Sequence, residues 1–144
     1  MPQLSVVVPV YNEAKTIRQI LEKINSVGID KEIIVVDDGS GDGTDKILRD
    51  MKWNNLMVIH HGSNRGKGAA VLTGLANVKG DYVIIQDADL EYDPNDYLKL
   101  METIKNENAD LVLGARFMKG YKGLLAHRLG NRFLTRLVNA LFCA

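Results

Sequence analysis

Residues Leu4-Ser5-Val6-Val7-Val8-Pro9-Val10 form a near-continuous apolar run dominated by valine. Such a run suits a strand covered on both faces, as in parallel sheets. Pro9 stands at its end, where a missing donor is tolerated and the chain turns. The segments that follow alternate two periodicities. Ile17, Ile20, Leu21, Ile24 and Val27 fall at helical spacing, with Asn12 as a cap, Glu13 and Thr16 in the first turn, and Gly28 as the stop. Ile33 to Val36 reads as a second strand, and Asp37 to Gly43 as a turn-rich loop. Thr44 opens a helix carrying Ile47, Leu48 and Met51. Leu56 to His60 is a third strand, Gly62 to Gly66 a loop, and Lys67 to about Val78 a third helix closed by Gly80. Tyr82 to Gln86 reads as a buried strand, Pro94 as the first turn of a helix to about Asn106, and Leu111 to Leu113 as a fifth strand. This alternation predicts an α/β fold with right-handed crossovers and a mostly parallel sheet.

The carboxyl ends of such strands are where ligands bind, and polar clusters stand there. The fourth strand runs into Gln86-Asp87-Ala88-Asp89-Leu90-Glu91. If the backbone stays extended, alternate side chains share a side, and Asp87, Asp89 and Glu91 converge. Three close carboxylates repel unless a divalent cation or a basic partner joins them, and oxygen-only ligands suit magnesium, manganese or calcium. A solvated acidic loop is the plain alternative. Tyr11 and Glu13 follow the first strand, Asp38 the second, Lys67 the third and Arg116 the fifth. An aromatic beside a carboxylate can stack on a base and accept its hydrogens. A metal with arginine can neutralise a diphosphate leaving group.

Other nucleotide-binding devices fail on spacing. Gly62-Ser63-Asn64-Arg65-Gly66-Lys67-Gly68 lacks one residue between its glycines and the Ser or Thr of a phosphate loop. Pro9-Val10-Tyr11-Asn12-Glu13 stands where a dinucleotide fingerprint would lie. Ser40 has no histidine at a recognisable spacing, and His60 and His61 read as structural or solvated.

Composition matters mainly through its distribution. The 144 residues carry zero formal net charge, which supports no bulk argument for nucleic acid, yet no Asp or Glu follows Asp110. Arg128, Arg132 and Arg136 fall at i, i+4 and i+8 beside an apolar stripe of Leu129, Phe133, Leu137 and Leu141. That pattern predicts a basic amphipathic helix over 128–144, suited either to an anionic membrane surface or to packing on the domain. The single cysteine, Cys143, fits a reducing compartment. The N-terminus shows no signal-like segment, and no apolar run is long enough to span a bilayer. Phe142-Cys143-Ala144 ends inside an apolar pattern, so a continuation beyond this region is expected.

Val7-Val8-Pro9-Val10-Tyr11-Asn12-Glu13, Asp37-Asp38-Gly39-Ser40, Asn64-x-Gly66-Lys67-Gly68, Asp87-Ala88-Asp89 and Gly114-Ala115-Arg116 occur in the order seen in family 2 glycosyltransferases. The chain resembles the dolichyl-phosphate mannose synthase branch and related polyprenyl-phosphate sugar transferases. The resemblance implies a GT-A fold, with a Rossmann-like, mostly parallel sheet and helices on both faces. It also implies a metal-dependent, inverting hexosyl transfer, of mannose or glucose, from a GDP- or UDP-linked sugar. By position, Pro9, Tyr11, Glu13, Val36 and Asp38 would hold the nucleoside, and Asp87 and Ala88 the ribose and diphosphate. Asp89 and Glu91, with Asp87 beside them, would hold Mg2+ or Mn2+. Lys67 and Arg116 would face diphosphate or sugar, with Asp89 and Arg116 closest to the chemistry.

A core over residues 1–127 and a following basic region are the expected divisions. The tail after Asp110 holds no acid to serve as general base. A polyprenyl or dolichyl phosphate acceptor is already anionic and needs none. The expected setting is the cytoplasmic face of a membrane, touched through the basic segment. A hydroxyl acceptor would instead require a carboxylate further along the chain. A nucleotidyltransferase would require a glycine-rich basic loop after the first strand, and an inactive binding fragment is the remaining alternative.

Overall fold

In the computed structural model, which describes residues 1–114, strands and helices alternate strictly. The elements are β1 (Leu4–Val10), α1 (Ile17–Ser26), β2 (Lys31–Asp37), α2 (Thr44–Asp50), β3 (Leu56–His60), α3 (Lys67–Leu75), β4 (Tyr82–Ile85) and α4 (Asp96–Asn106). The four strands make one parallel sheet in the order β3-β2-β1-β4. The chain thus moves outward from β1 to β3, then crosses back to lay β4 on the other side of β1. Strand order reverses between β1 and β4, and in open α/β sheets a crevice opens there beyond the carboxyl ends.

The register explains the two-sided core. Val6 pairs with Ile33 and Val8 with Val35, so these side chains share a face. On that face they pack with Leu4 and Val10 against Ile17, Ile20, Leu21 and Ile24 of α1, Leu48 of α2, and Tyr97 and Met101 of α4. Ile34 and Val36 point the other way, onto Ala70 of α3, with Met57, Ile59 and Val78 around them. Burying each such aliphatic side chain stabilises the fold by about 1.5–3 kcal/mol. Helices therefore cover both faces, as the valine run requires.

Local chemistry sets the ends of elements. The buried Lys31 ammonium closes the turn after α1, donating to the carbonyls of Asn25, Val27 and Ile29 at 3.1, 2.6 and 3.3 Å. Desolvation holds its pKa below the ordinary lysine value, with Asp30 opposing. Asn12 is not the cap of α1. It adopts a left-handed φ of 57°, and α1 begins only after Thr16. Asparagine tolerates that conformation, and it leaves the Asn12 side chain to bond the neighbouring loop. Helix α3 ends at Leu75, short of the expected Val78, and α4 begins at Asp96, two residues after Pro94.

Two strand expectations change. β4 is not covered on both faces: Tyr82 and Ile84 pack on the core, whereas Val83 and Ile85 stay exposed. The cause is position, since α3 lies over β1 and β2 while β4 forms an edge of the described sheet. Leu111–Leu113 forms no strand. The compact unit spans Met1–Ala109, and a second unit starts at Asp110. The division expected after residue 127 and the basic segment lie outside the described residues.

Candidate functional site

A cleft of about 270 Å³ opens at the reversal point, lined by Pro9, Val10, Tyr11, Glu13, Asp38, Asn64, Lys67, Ala70, Asp87, Ala88 and Asp89. Its first wall is the loop after β1, latched to the loop after β2. The Asn12 N–H donates to Ser40 Oγ at 2.9 Å, and Asn12 Oδ1 accepts from the Gly41 N–H at 2.9 Å. The Glu13 N–H donates to Thr44 Oγ1 at 3.0 Å and the Ala14 N–H to Asp42 Oδ2 at 3.0 Å. Asp42 also accepts from the Thr44 hydroxyl and N–H, and the hydroxyl bond is the main reason its carboxyl lies below the usual range. The latch holds Tyr11 and Glu13 at the cleft. Tyr11 leaves about half its surface (49%) in solvent, a ring available for stacking. Glu13 Oε2 accepts from the Thr16 hydroxyl at 2.5 Å.

The floor is organised by Asp38, which is buried. Its oxygens accept from His61 Nδ1 at 2.6 Å, from the Arg65 N–H at 3.0 Å, and from the Gly66 N–H at 2.8 Å. Burial alone would raise this carboxyl. The hydrogen bonds from His61, Arg65 and Gly66 outweigh it and hold the group below the ordinary aspartate value. His61 in turn shares a 2.9 Å hydrogen bond with Thr73 Oγ1 of α3, and His60 Nδ1 lies 3.0 Å from Asp37 Oδ2. Both histidines are therefore structural. Asp38 lines the cleft, and it also fastens the 62–66 loop that delivers Lys67.

The second wall is the turn after β4. Lys67 Nζ meets Asp87 Oδ1 at 2.6 Å, which ties the start of α3 to the acidic stretch. Asp87, Ala88 and Asp89 all face the cleft. The expected convergence of three carboxylates does not occur. The strand stops at Ile85, residues 88 and 89 turn, and Leu90 takes a left-handed φ of 65°, so alternate side chains no longer share a side. Glu91 is absent from the lining. Its N–H donates to Asp89 Oδ1 at 3.0 Å, and no group of three acids or histidines able to hold a metal exists among the described residues. A pair remains, Asp87 and Asp89. Magnesium-type ions are commonly held by one or two carboxylates together with substrate phosphates, so this pair fits an ion that shares its coordination with a diphosphate. Among the described residues the lining carries four carboxylates (Glu13, Asp38, Asp87, Asp89) and one ammonium, a balance that favours a cation.

Val36, expected to hold the nucleoside, is absent from the lining: its side chain is fully buried in a cluster with Ile34 and Ala70. Arg116 lies outside the described residues. Three lining residues were not singled out by type: Val10 and Ala70, which are apolar and carry no chemical signal, and Asn64, which is visible only as part of the Asn64-x-Gly66-Lys67-Gly68 pattern. His61 was read from the sequence as structural or solvated, but its partner Asp38, 23 residues away, was not legible there.

The chain is 34% identical over 123 residues to a dolichol-phosphate mannosyltransferase of Pyrococcus furiosus, covering 83% of this chain and 35% of that protein. It is 31% identical over 159 aligned positions to the UDP-N-acetylglucosamine–dolichyl-phosphate N-acetylglucosaminyltransferase of Methanococcus voltae, covering 94% and 63%. The fold superposes on a mannosyltransferase from Pyrobaculum calidifontis, solved in complex with GDP-Man and Mn2+. That match has a TM-score of 0.60 and 34% identity, over 67% of this chain and 30% of that one. The chain thus spans between about a third and two thirds of the length of these relatives. The parallel sheet and its neighbours are those of GT-A glycosyltransferases. With residues 5–141 matching the profile described as glycosyl transferase family 2, the chain belongs to that family.

Proposed function

We propose that this chain carries the donor-binding part of an inverting glycosyltransferase that moves a hexose, mannose or glucose, from a nucleoside diphosphate to a polyprenyl phosphate. The observation that carries the reading is the cleft at the strand reversal, where Tyr11, Glu13 and Asp38 face Lys67, Asp87 and Asp89. The first three are suited to base and ribose, the last three to a diphosphate. An oxygen of the acceptor phosphate attacks the anomeric carbon while the bond from that carbon to the diphosphate breaks. The nucleoside diphosphate leaves, and the configuration inverts. Because the acceptor is anionic, no side chain must remove a proton. Lys67 offsets charge on the leaving group. Asp89, with Asp87 beside it, would hold a Mg2+ or Mn2+ ion that supplies further positive charge there.

The dolichyl-phosphate relatives support the lipid acceptor. The Mn2+ and GDP-Man of the structural neighbour support the donor class and the metal. Action on such a lipid calls for contact with a membrane surface, and the proposal assigns it to the cytoplasmic face, with Arg128, Arg132 and Arg136 as the proposed contact. None of the described helices is long and apolar enough to cross a membrane.

The test is titration calorimetry of the full chain with GDP and UDP, with and without Mn2+. Asp89→Ala should abolish the Mn2+-dependent part of binding and leave the circular dichroism spectrum intact. Undiminished Mn2+-dependent binding in that variant refutes the metal assignment. Assaying GDP- and UDP-sugars against short polyprenyl phosphates tests the acceptor. Turnover only with hydroxyl acceptors would replace that half of the reading.

A further inference from the structure

The acidic turn is held from behind by a buried side chain that sequence patterning treats as the last residue of a strand. Gln86 is 3% exposed and Tyr97 of α4 is 2% exposed. The Tyr97 hydroxyl donates to Gln86 Oε1 at 2.7 Å, and desolvation pushes the Tyr97 pKa far up, so the phenol stays a donor. With the oxygen committed to Tyr97, the amide nitrogen must face the other way. Gln86 Nε2 donates to the Asp87 carbonyl at 3.0 Å and reaches the Tyr92 carbonyl at 3.5 Å. These carbonyls stand at the two ends of the stretch that carries Asp87, Asp89 and Glu91. The Gln86 N–H is itself fixed to the Val7 carbonyl of β1 at 2.9 Å.

Within the span so closed, Leu90 holds a left-handed φ of 65° that a leucine adopts only when its surroundings enforce it. Lys67 Nζ meets the Asp87 carboxylate at 2.6 Å, and the Glu91 N–H donates to Asp89 Oδ1 at 3.0 Å, whereas Gln86 bonds the backbone at both ends of the turn. We propose that Gln86 and Tyr97 are positioning residues, a buried clamp that sets the acidic turn so that Asp87 and Asp89 face the cleft before a diphosphate and its cation arrive. This deepens the donor-site reading above and rests on it. Neither residue touches the ligand. They act through the backbone of the turn, as the partners behind metal-binding side chains commonly do.

The Tyr97–Gln86 bond can be removed without stranding either of its own two polar atoms. Gln86→Met keeps the length of the side chain and Tyr97→Phe keeps the ring. Each single variant strands its partner's polar atom, whereas the double variant is apolar on both sides. The full chain, its single variants and the double variant are compared by calorimetry with Mn2+ and whichever of GDP and UDP the wild type binds. Thermal unfolding and amide exchange at residues 88–91 are followed in parallel. The singles should unfold at lower temperature than the double, which returns toward wild type. Binding of the Mn2+-diphosphate should nevertheless fall about 10-fold or more in the double variant, with faster exchange at 88–91. The free nucleoside, which the proposed function seats mainly on Tyr11, Glu13 and Asp38, should lose far less affinity. Recovery of diphosphate binding together with stability would overturn the clamp and leave the pair as ordinary core. Failure of the wild type to bind either diphosphate would instead overturn the donor-site reading itself.

Discussion

Gly39 sits where the loop after β2 presses against the backbone of the next loop. A methyl group there would lie 2.6 Å from the Ser63 carbonyl carbon and 2.7 Å from the Asn64 nitrogen, and φ is +74°. Only glycine tolerates both conditions, and the close approach is what lets Asp38 reach the N–H groups of Arg65 and Gly66. Gly39→Ala should cost at least about 2 kcal/mol by urea unfolding and weaken diphosphate binding by displacing Lys67. A variant as stable as wild type would refute the close packing. The Asp37-Asp38-Gly39-Ser40 pattern was visible in the sequence, but its reason was not. Nothing at position 39 says that residues 63 and 64 will lie against it, because that approach is made by the pairing of β2 with β3.

At the scale of elements, α3 seats on the sheet through a second glycine. A Cβ on Gly74 would overlap Val7 Cγ1, so the helix can approach β1 only where a side chain is missing. In an isolated helix Gly→Ala gains about 1 kcal/mol. Here the overlap should reverse the sign, and Gly74→Ala is expected to destabilise by about 1–3 kcal/mol. Adding Val7→Ala frees the space, so the cost of Gly74→Ala measured in that background should shrink, a coupling read by a double-mutant cycle. Additive effects would refute the contact. The same seating matters to the cleft, since Lys67 and Ala70 are carried in on this helix. β4 shows the limit of reading an element alone. Its apolar run suggested cover on both faces, but coverage depends on which helix crosses overhead, and α3 crosses β1 and β2.

The whole molecule is held at its carboxyl-end loops by carboxylates that accept N–H and O–H bonds, and acid should release them. Asp38 and Asp42 both lie below their ordinary value of 3.8 in the folded chain. The unfolded chain therefore binds the extra proton first as pH falls. Their contribution to stability is complete above about 3.8 and is lost as pH drops through the lower folded values. Chemical unfolding followed by circular dichroism across this acid range should show stability declining with falling pH. Asp42→Asn should flatten the decline. An unchanged slope would mean that Asp42 titrates alike folded and unfolded.

What the sequence by itself determined is the architecture and the edge of the sheet at which the polar loop residues gather. Continuous valine and isoleucine runs demand cover on both faces, helical spacing supplies it, and parallel order then puts the loop residues together at one edge. Those are consequences of local periodicity, which a chain carries along its own length. Tertiary structure decided how the polar groups are used. It turned Asp38 into a tie for the 62–66 loop, swung Glu91 away from the cleft, moved Asn12 from a helix cap to a loop latch, and placed Tyr97 against Gln86. Each outcome depends on a partner brought near in space or on a backbone dihedral, such as φ at Leu90, that only the assembled fold imposes. Directional hydrogen bonds across sequence distance leave no periodic trace, whereas burial of apolar faces does.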